Sequence, residues 1–253
     1  MEGIFARRRA LVIGGTGGIG RAVALGLAAG GADLTIHGGR SAERLESALA
    51  EAREKAAAGA RIGGFLAPVT APVSKAAETI LAKTAELSGT SAPDILVLAW
   101  GPFQRSPLQE TSPENWYFLA ENNFIFPGIL ISAVIGDMIT RRWGRILLFG
   151  GTNTDTIRGF STTAAYSAAK TALGALAKSA AKSAGTAGVT CNVVCPGLTD
   201  TEYTGEKEQT YHREKNPRGK GLSPGDIAAV ALRLLESPVV NGAVIPLDGG
   251  VVV

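Results

Sequence analysis

The chain is poor in the residues that bind metals or form cross-links. Its 253 residues include two cysteines, Cys191 and Cys195, and two histidines, His37 and His212. The cysteines flank an expected strand that runs into Pro196-Gly197, and both read as reduced core thiols of a cytoplasmic protein. Neither histidine has sequence neighbours that suggest a metal site. Aromatic residues make up 6% of the chain, and the formal net charge is only +3, too small to argue for a nucleic-acid partner. The basic run Arg7-Arg8-Arg9 reads as a solvated edge before the first strand. No apolar run approaches the ~20 residues that a membrane helix needs. The first residues lack the ordered basic, apolar and small-residue regions of a signal peptide.

What the chain has is glycine, alanine and alternation. Apolar residues make up 45% of it, and 33 are glycine, a composition suited to close helix–sheet packing. Short apolar runs at 11–13, 32–37, 61–69, 94–101, 145–149, 189–195 and 243–247 predict seven strands. Helical patterns separate most of them: 21–29, 42–58, 73–88, 113–140, 161–184 and 224–236. Pro127 falls inside the fourth of these and should kink it or be absorbed locally. Strand–helix alternation without a linker predicts one α/β domain over 1–253, a Rossmann-like doubly wound parallel sheet with helices on both faces.

The first strand runs into a turn carrying Gly14, Gly18 and Gly20, with Gly15, Thr16 and Gly17 between and Ile19 inside. Missing side chains admit an anion close to the backbone, and the helix N-terminus adds free N–H groups and partial positive charge. By itself the turn also fits an ordinary tight βα connection. The second strand ends in Gly39-Arg40-Ser41, where dinucleotide folds meet the adenosine ribose. A carboxylate there would repel a 2′-phosphate; Arg40 and Ser41 would bind one, which favours NADP over NAD.

Tyr166 and Lys170 are four residues apart near the start of the Ala-rich fifth helix, on one face. A nearby ammonium stabilises phenolate, so the lysine should lower the phenol's pKa and fit it for proton transfer.

With these residues in place the sequence resembles the short-chain dehydrogenase/reductase family over nearly its whole length, most nearly its 3-oxoacyl-carrier-protein reductases. Gly14, Gly18, Gly20, the Tyr166–Lys170 pair, Pro196-Gly197 with Thr201, and Asp248-Gly249-Gly250 carry the resemblance. It implies an NADP(H)-dependent oxidoreductase acting on a carbonyl, alcohol or acyl substrate. Tyr166 would be the acid/base, Lys170 would hold the nicotinamide ribose, and Asn123 would anchor a water. Gly101, Leu198 and Thr201 would line the cofactor site, and Val69 would serve the adenine where the family has an acid. It further implies a homotetramer or dimer paired through the long helices, and a substrate lid near 198–221. For that polar stretch a mobile solvated loop is the plainer reading.

Three departures stand out. Leu98-Ala99-Trp100-Gly101 replaces the family's Asn-Asn-Ala-Gly, and Trp100 either stacks near the cofactor or fills core space. Pro68 stands where the third strand usually ends in an acid. Gly151 stands where the catalytic serine belongs, which leaves Thr152, or Asn153 or Thr154 if the loop bulges, to supply a hydroxyl or amide. These departures motivate a second reading, a nucleotide-binding sensor or interaction protein with little catalysis.

Overall fold

The computed structural model describes residues 3–251. Seven parallel strands form one sheet in the order β3-β2-β1-β4-β5-β6-β7. They are β1 (Arg9–Ile13), β2 (Asp33–Gly38), β3 (Ile62–Leu66), β4 (Ile95–Leu98), β5 (Gly144–Phe149), β6 (Val189–Pro196) and β7 (Val244–Leu247). All the expected strands are present, with the third and fourth shorter than expected. The helices are α1 (Gly18–Ala29), α2 (Ala42–Lys55), α3 (Val73–Ser88), α4 (Pro113–Ala120), α5 (Phe126–Thr140), α6 (Ala164–Ala184), α7 (Glu206–Lys215) and α8 (Pro224–Glu236).

Side chains alternate across each strand, so both faces of the sheet are apolar. Leu11, Ile13, Leu96 and Leu98 face a core shared with Ile80 of α3, Leu130 and Met138 of α5 and Leu173 of α6. Ala10, Val12, Ile95 and Val97 face the other, with Leu27 of α1, Leu49 of α2 and Ile227 of α8. Val12 is in register with Ile36 on one side and Val97 on the other. The chain runs outward from β1 through β2 to β3 and then returns beside β1 as β4. The order therefore reverses between β1 and β4, and the crevice beyond their carboxyl ends is where such sheets bind ligands.

Two expectations about the helices change. The expected helix over 113–140 contains one wide turn, Glu121–Ile125, in which the Phe126 N–H bonds back to Glu121 O. Pro127 follows directly, in the first turn of α5, so the missing N–H is absorbed there without a sharp break. The polar stretch after Thr201 is not simply a loop, because it folds as α7 with acids in its first turn and bases in its last. The continuous helix Pro113–Thr140, with mean hydropathy 1.6, is long and apolar enough to cross a membrane by length and composition. Phe126, Leu130, Ile131, Val134 and Met138 are nonetheless buried in the protein's own core.

Candidate active site

The glycine turn closes tightly at the carboxyl end of β1. Gly14 and Gly18 adopt φ values of 76° and 50°, a region that side chains rarely enter. A methyl group at Gly20 would run into the Gly14 carbonyl oxygen. His37, at the end of β2, fastens this turn. Its Nδ1 accepts from the Gly14 N–H at 3.4 Å, and its Nε2 lies 2.8 Å from Ala67 O and donates to it. Burial pushes the imidazole down to about 4, which keeps it neutral and suited to both roles. Thr16 packs over Gly38, and Thr201 lies against Gly18, with its Cγ2 3.5 Å from where a Cβ would stand.

At the end of β2, Arg40 is exposed, and Ser41 caps α2 by accepting from the Arg44 N–H at 3.2 Å. A Cβ on Gly39 would meet open space. Arg44 extends from the same helix end, bonds the Tyr203 hydroxyl at 3.0 Å and lies 4.8 Å from that ring's centre. Val69 and Pro68 follow β3; Val69 packs against the core, whereas Pro68 is exposed.

The reacting groups gather around Gly101. A Cβ there would collide with Asn123 Oδ1 and stand 3.0 Å from Lys170 Nζ, so only glycine leaves room for both. The wide turn at 121–125 buries Asn123, whose Nδ2 donates to Pro102 O at 3.0 Å and Leu119 O at 3.1 Å. Its Oδ1 is buried without a partner. The neighbouring Asn122 turns back to Phe118 O, so Asn123 is the one that reaches the end of β4. Lys170 is buried, and its Nζ donates to Phe149 O at 2.9 Å. Burial pushes its ammonium down to about 8.

Tyr166 corrects an expectation. Lys170 Nζ lies 5.9 Å from its ring centre, and its charge does not offset the burial of the phenol. Burial instead pushes the phenol up to about 12. Phe103 meets the ring edge-on at 4.9 Å. The hydroxyl lies 3.0 Å from where a Cβ on Gly151 would be, and Cε1 lies at 2.9 Å, so the tyrosine fills space a side chain at 151 would need. Of the alternatives to serine, Thr154 is buried and bonded to Gly151 N and O, at 2.8 and 3.0 Å. Thr152 lines the cavity but donates to Pro196 O at 3.2 Å. Asn153 turns the loop with φ 61°. Trp100 packs edge-on against Phe126 at 5.9 Å, which fills core space, and also lines the cavity.

That cavity, about 1070 Å³, joins the pieces: Ile19, Gly101, Thr152, Tyr166, Lys170, Pro196, Gly197, Leu198 and Thr201 all line it. Helix α7 closes one side with Tyr211, His212 and Lys215, and His212 Nδ1 lies 2.6 Å from Asp200 Oδ1. Cys195 and Cys191 are buried and unpaired, as expected. Among the described residues no group of three metal-ligating side chains forms.

Two residues that hold the turn, His37 and Glu202, carry no signal in the sequence. His37 closes an ordinary apolar strand. Glu202 receives the Gly18 N–H on both carboxylate oxygens, at 2.9 and 3.1 Å, from 184 positions away.

Known proteins resemble this chain in sequence and fold. The chain is 32% identical to the 3-oxoacyl-[acyl-carrier-protein] reductase of Escherichia coli, over 97% of this chain and 98% of that one. It is 31% identical to the gluconate 5-dehydrogenase of Gluconobacter oxydans, over 97% and 94%. The crystal structure of a 3-oxoacyl (acyl-carrier-protein) reductase from Agrobacterium tumefaciens with NADP bound superposes with a TM-score of 0.86, at 25% identity over 97% and 95% of the two chains. The family model described as short chain dehydrogenase matches residues 8–212, which span the glycine turn, the Tyr166–Lys170 helix and most of α7. A parallel sheet with its crevice between β1 and β4, matched along its length by these relatives, places the chain in the short-chain dehydrogenase/reductase family of NAD(P)-binding oxidoreductases.

Proposed function

We propose that the chain is an NADP(H)-dependent oxidoreductase interconverting a carbonyl and an alcohol, with Tyr166 as general acid/base. The observation that carries this reading is the convergence of Tyr166, Lys170 and Thr201 on one cavity that also reaches the phosphate turn through Ile19. The residues suit a dinucleotide. The glycine turn opens onto the α1 N-terminus, whose free N–H groups are the donors a diphosphate takes. Arg40, Ser41 and Arg44 stand where a 2′-phosphate would arrive, with no carboxylate at 39 to repel it.

A bound nicotinamide would supply or accept the hydride. A phenol pushed up to about 12 keeps its proton at neutral pH, the form that donates to a carbonyl oxygen in reduction. Lys170 would hold the nicotinamide ribose hydroxyls from the same helix face, and the open Asn123 Oδ1 offers an acceptor for a relaying water. Gly151 leaves the substrate oxygen without the usual serine, so Tyr166 is its principal donor. The substrate is a small carbonyl, alcohol or acyl compound, in keeping with the gluconate and 3-oxoacyl names of the relatives. The working form is a homo-oligomer. Trp116, Tyr117, Phe118, Phe124, Ile125 and Ile139 lie 37–71% exposed along α4, the wide turn and α5, an apolar face for a second copy.

The test is NADPH oxidation against ketones, β-ketoacyl thioesters and keto acids. Tyr166→Phe should lower turnover by about 10³-fold, and turnover indifferent to it defeats the mechanism. Gly151 keeps a second reading alive, a nucleotide sensor; tight NADPH binding with no turnover on any substrate would favour it. Light scattering tests the oligomer.

A further inference from the structure

We infer that Glu202 is an internal competitor for the dinucleotide, seated on the N–H that a pyrophosphate would use. This rests on the reading of the glycine turn as a dinucleotide site. Three observations carry it. The Gly18 N–H at the start of α1 donates to both oxygens of the Glu202 carboxylate, at 2.9 and 3.1 Å. Gly17, the residue before α1, has no side chain to cap the helix, and the space its Cβ would need is taken by Glu202 Oε1 and the Tyr203 hydroxyl. The segment is also held in place. Thr201 N–H donates to Thr204 Oγ1 at 3.0 Å, Tyr203 N–H donates to Thr201 Oγ1 at 3.2 Å, and Arg44 bonds the Tyr203 hydroxyl at 3.0 Å. The turn 201–204 thus presents a carboxylate to the phosphate cradle and occupies an arginine beside the 2′-phosphate position.

A carboxylate and a phosphate oxygen make the same demand on a helix N-terminus, and both cannot sit on one N–H. Glu202 is exposed, so its bonds are weak enough to exchange. Binding then requires the turn 201–204 to give up its seat, and the measured affinity is the intrinsic one reduced by the fraction of molecules with the seat open. Thr201 is in the same turn, so the arrival of the dinucleotide and the placing of Thr201 are one movement.

The experiment measures NADPH affinity by fluorescence titration of the full-length protein. Glu202→Gln keeps the shape and removes the charge, and should bind about tenfold more tightly than wild type. Glu202→Asp keeps the charge but is too short to reach the Gly18 N–H, and should fall between the two. Glu206→Gln, an exposed charge four residues along, should bind as wild type does. Thermal melts of each variant check folding. Wild-type affinity in Glu202→Gln, with or without a lower Tm, makes Glu202 a helix cap alone and overturns the proposal. Glu202→Asp equal to wild type beside a tighter Glu202→Gln reduces it to charge repulsion and also overturns it. Binding by none of the proteins overturns the dinucleotide reading itself, and this proposal with it.

Discussion

The two ends of the sheet treat polar groups in opposite ways. At the amino end, charges are matched. Asp94, before β4, takes Arg9 Nε and Nη2 at 3.0 and 2.9 Å, and Arg141 Nε, which has no hydrogen-bond partner, lies 3.2 Å from the same carboxylate as an ion pair. Asp33 takes Arg61 at 2.7 Å. Burial alone would push both carboxyls up, but the arginines outweigh it and hold them below the usual range. Even the hollow at that end, about 470 Å³, is rimmed by Arg9, Asp33 and Arg61, whose charges are already paired. At the carboxyl end, groups are left wanting. Asn122 Oδ1, Asn123 Oδ1 and Gln104 Oε1 are buried without partners, and buried Lys170 donates to one carbonyl and faces no carboxylate among its bonds. Pairing at one end holds the fold, whereas open valence at the other is available to ligands.

That contrast breaks most sharply at Lys170. Lys170→Met should cut turnover by about 10³-fold. It should also raise stability. An ammonium pushed down to about 8 from its ordinary 10.5 works against the fold at neutral pH. Native stability therefore rises as pH climbs through about 8 toward 10.5, and removing the charge at pH 7 should raise Tm by roughly 3 °C after the lost bond to Phe149 O is set against it. A lower Tm would mean that the lysine is structural.

His37 gives the next effect, in acid. Its imidazole sits near 4 in the fold against 6.5 unfolded, so the unfolded chain binds the extra proton between those values. Stability is full above about 6.5 and is lost as pH falls through about 4, by about 3 kcal/mol. Asp33 and Asp94 are held low and titrate beneath that window. Urea melts from pH 7 to 4 should show the slope, and His37→Gln should flatten it. At the paired end, Asp94→Ala should cost about 2 kcal/mol, roughly 5 °C in Tm, and leave NADPH affinity unchanged.

What was legible in the sequence follows the same division by distance. Parallel strands are buried on both faces, so their short apolar runs stand out, and all seven were readable. Tyr166 and Lys170 share a helix face by spacing alone, and the glycines that shape the turn are contiguous. Ends set by distant partners were not readable. The third strand stops at Leu66 rather than Val69, and beyond it the His37 side chain holds Ala67 O. The depression of the Tyr166 pKa by Lys170, expected from a four-residue spacing, is outweighed by the burial of the phenol, which only the packed fold sets. Glu202 belongs to the turn at Gly18 only once β4, β5 and β6 are in place and the segment after β6 returns to the carboxyl end of β1.

The smallest effect expected lies at Thr152, which tests how far the open end extends. Its hydroxyl lines the cavity, as a replacement for the missing serine should, but its proton goes to Pro196 O at 3.2 Å. A hydroxyl so committed cannot donate to a substrate oxygen without abandoning the Pro196-Gly197 turn. Thr152→Val keeps the shape and removes the proton, and should lower kcat by less than about fivefold through loosening of that turn. A donor to the developing oxyanion would cost ~100-fold or more. A loss of that size, together with an unchanged KM, would mean that the threonine rotates toward substrate in the reacting complex and that Gly151 is compensated from the next position along the chain.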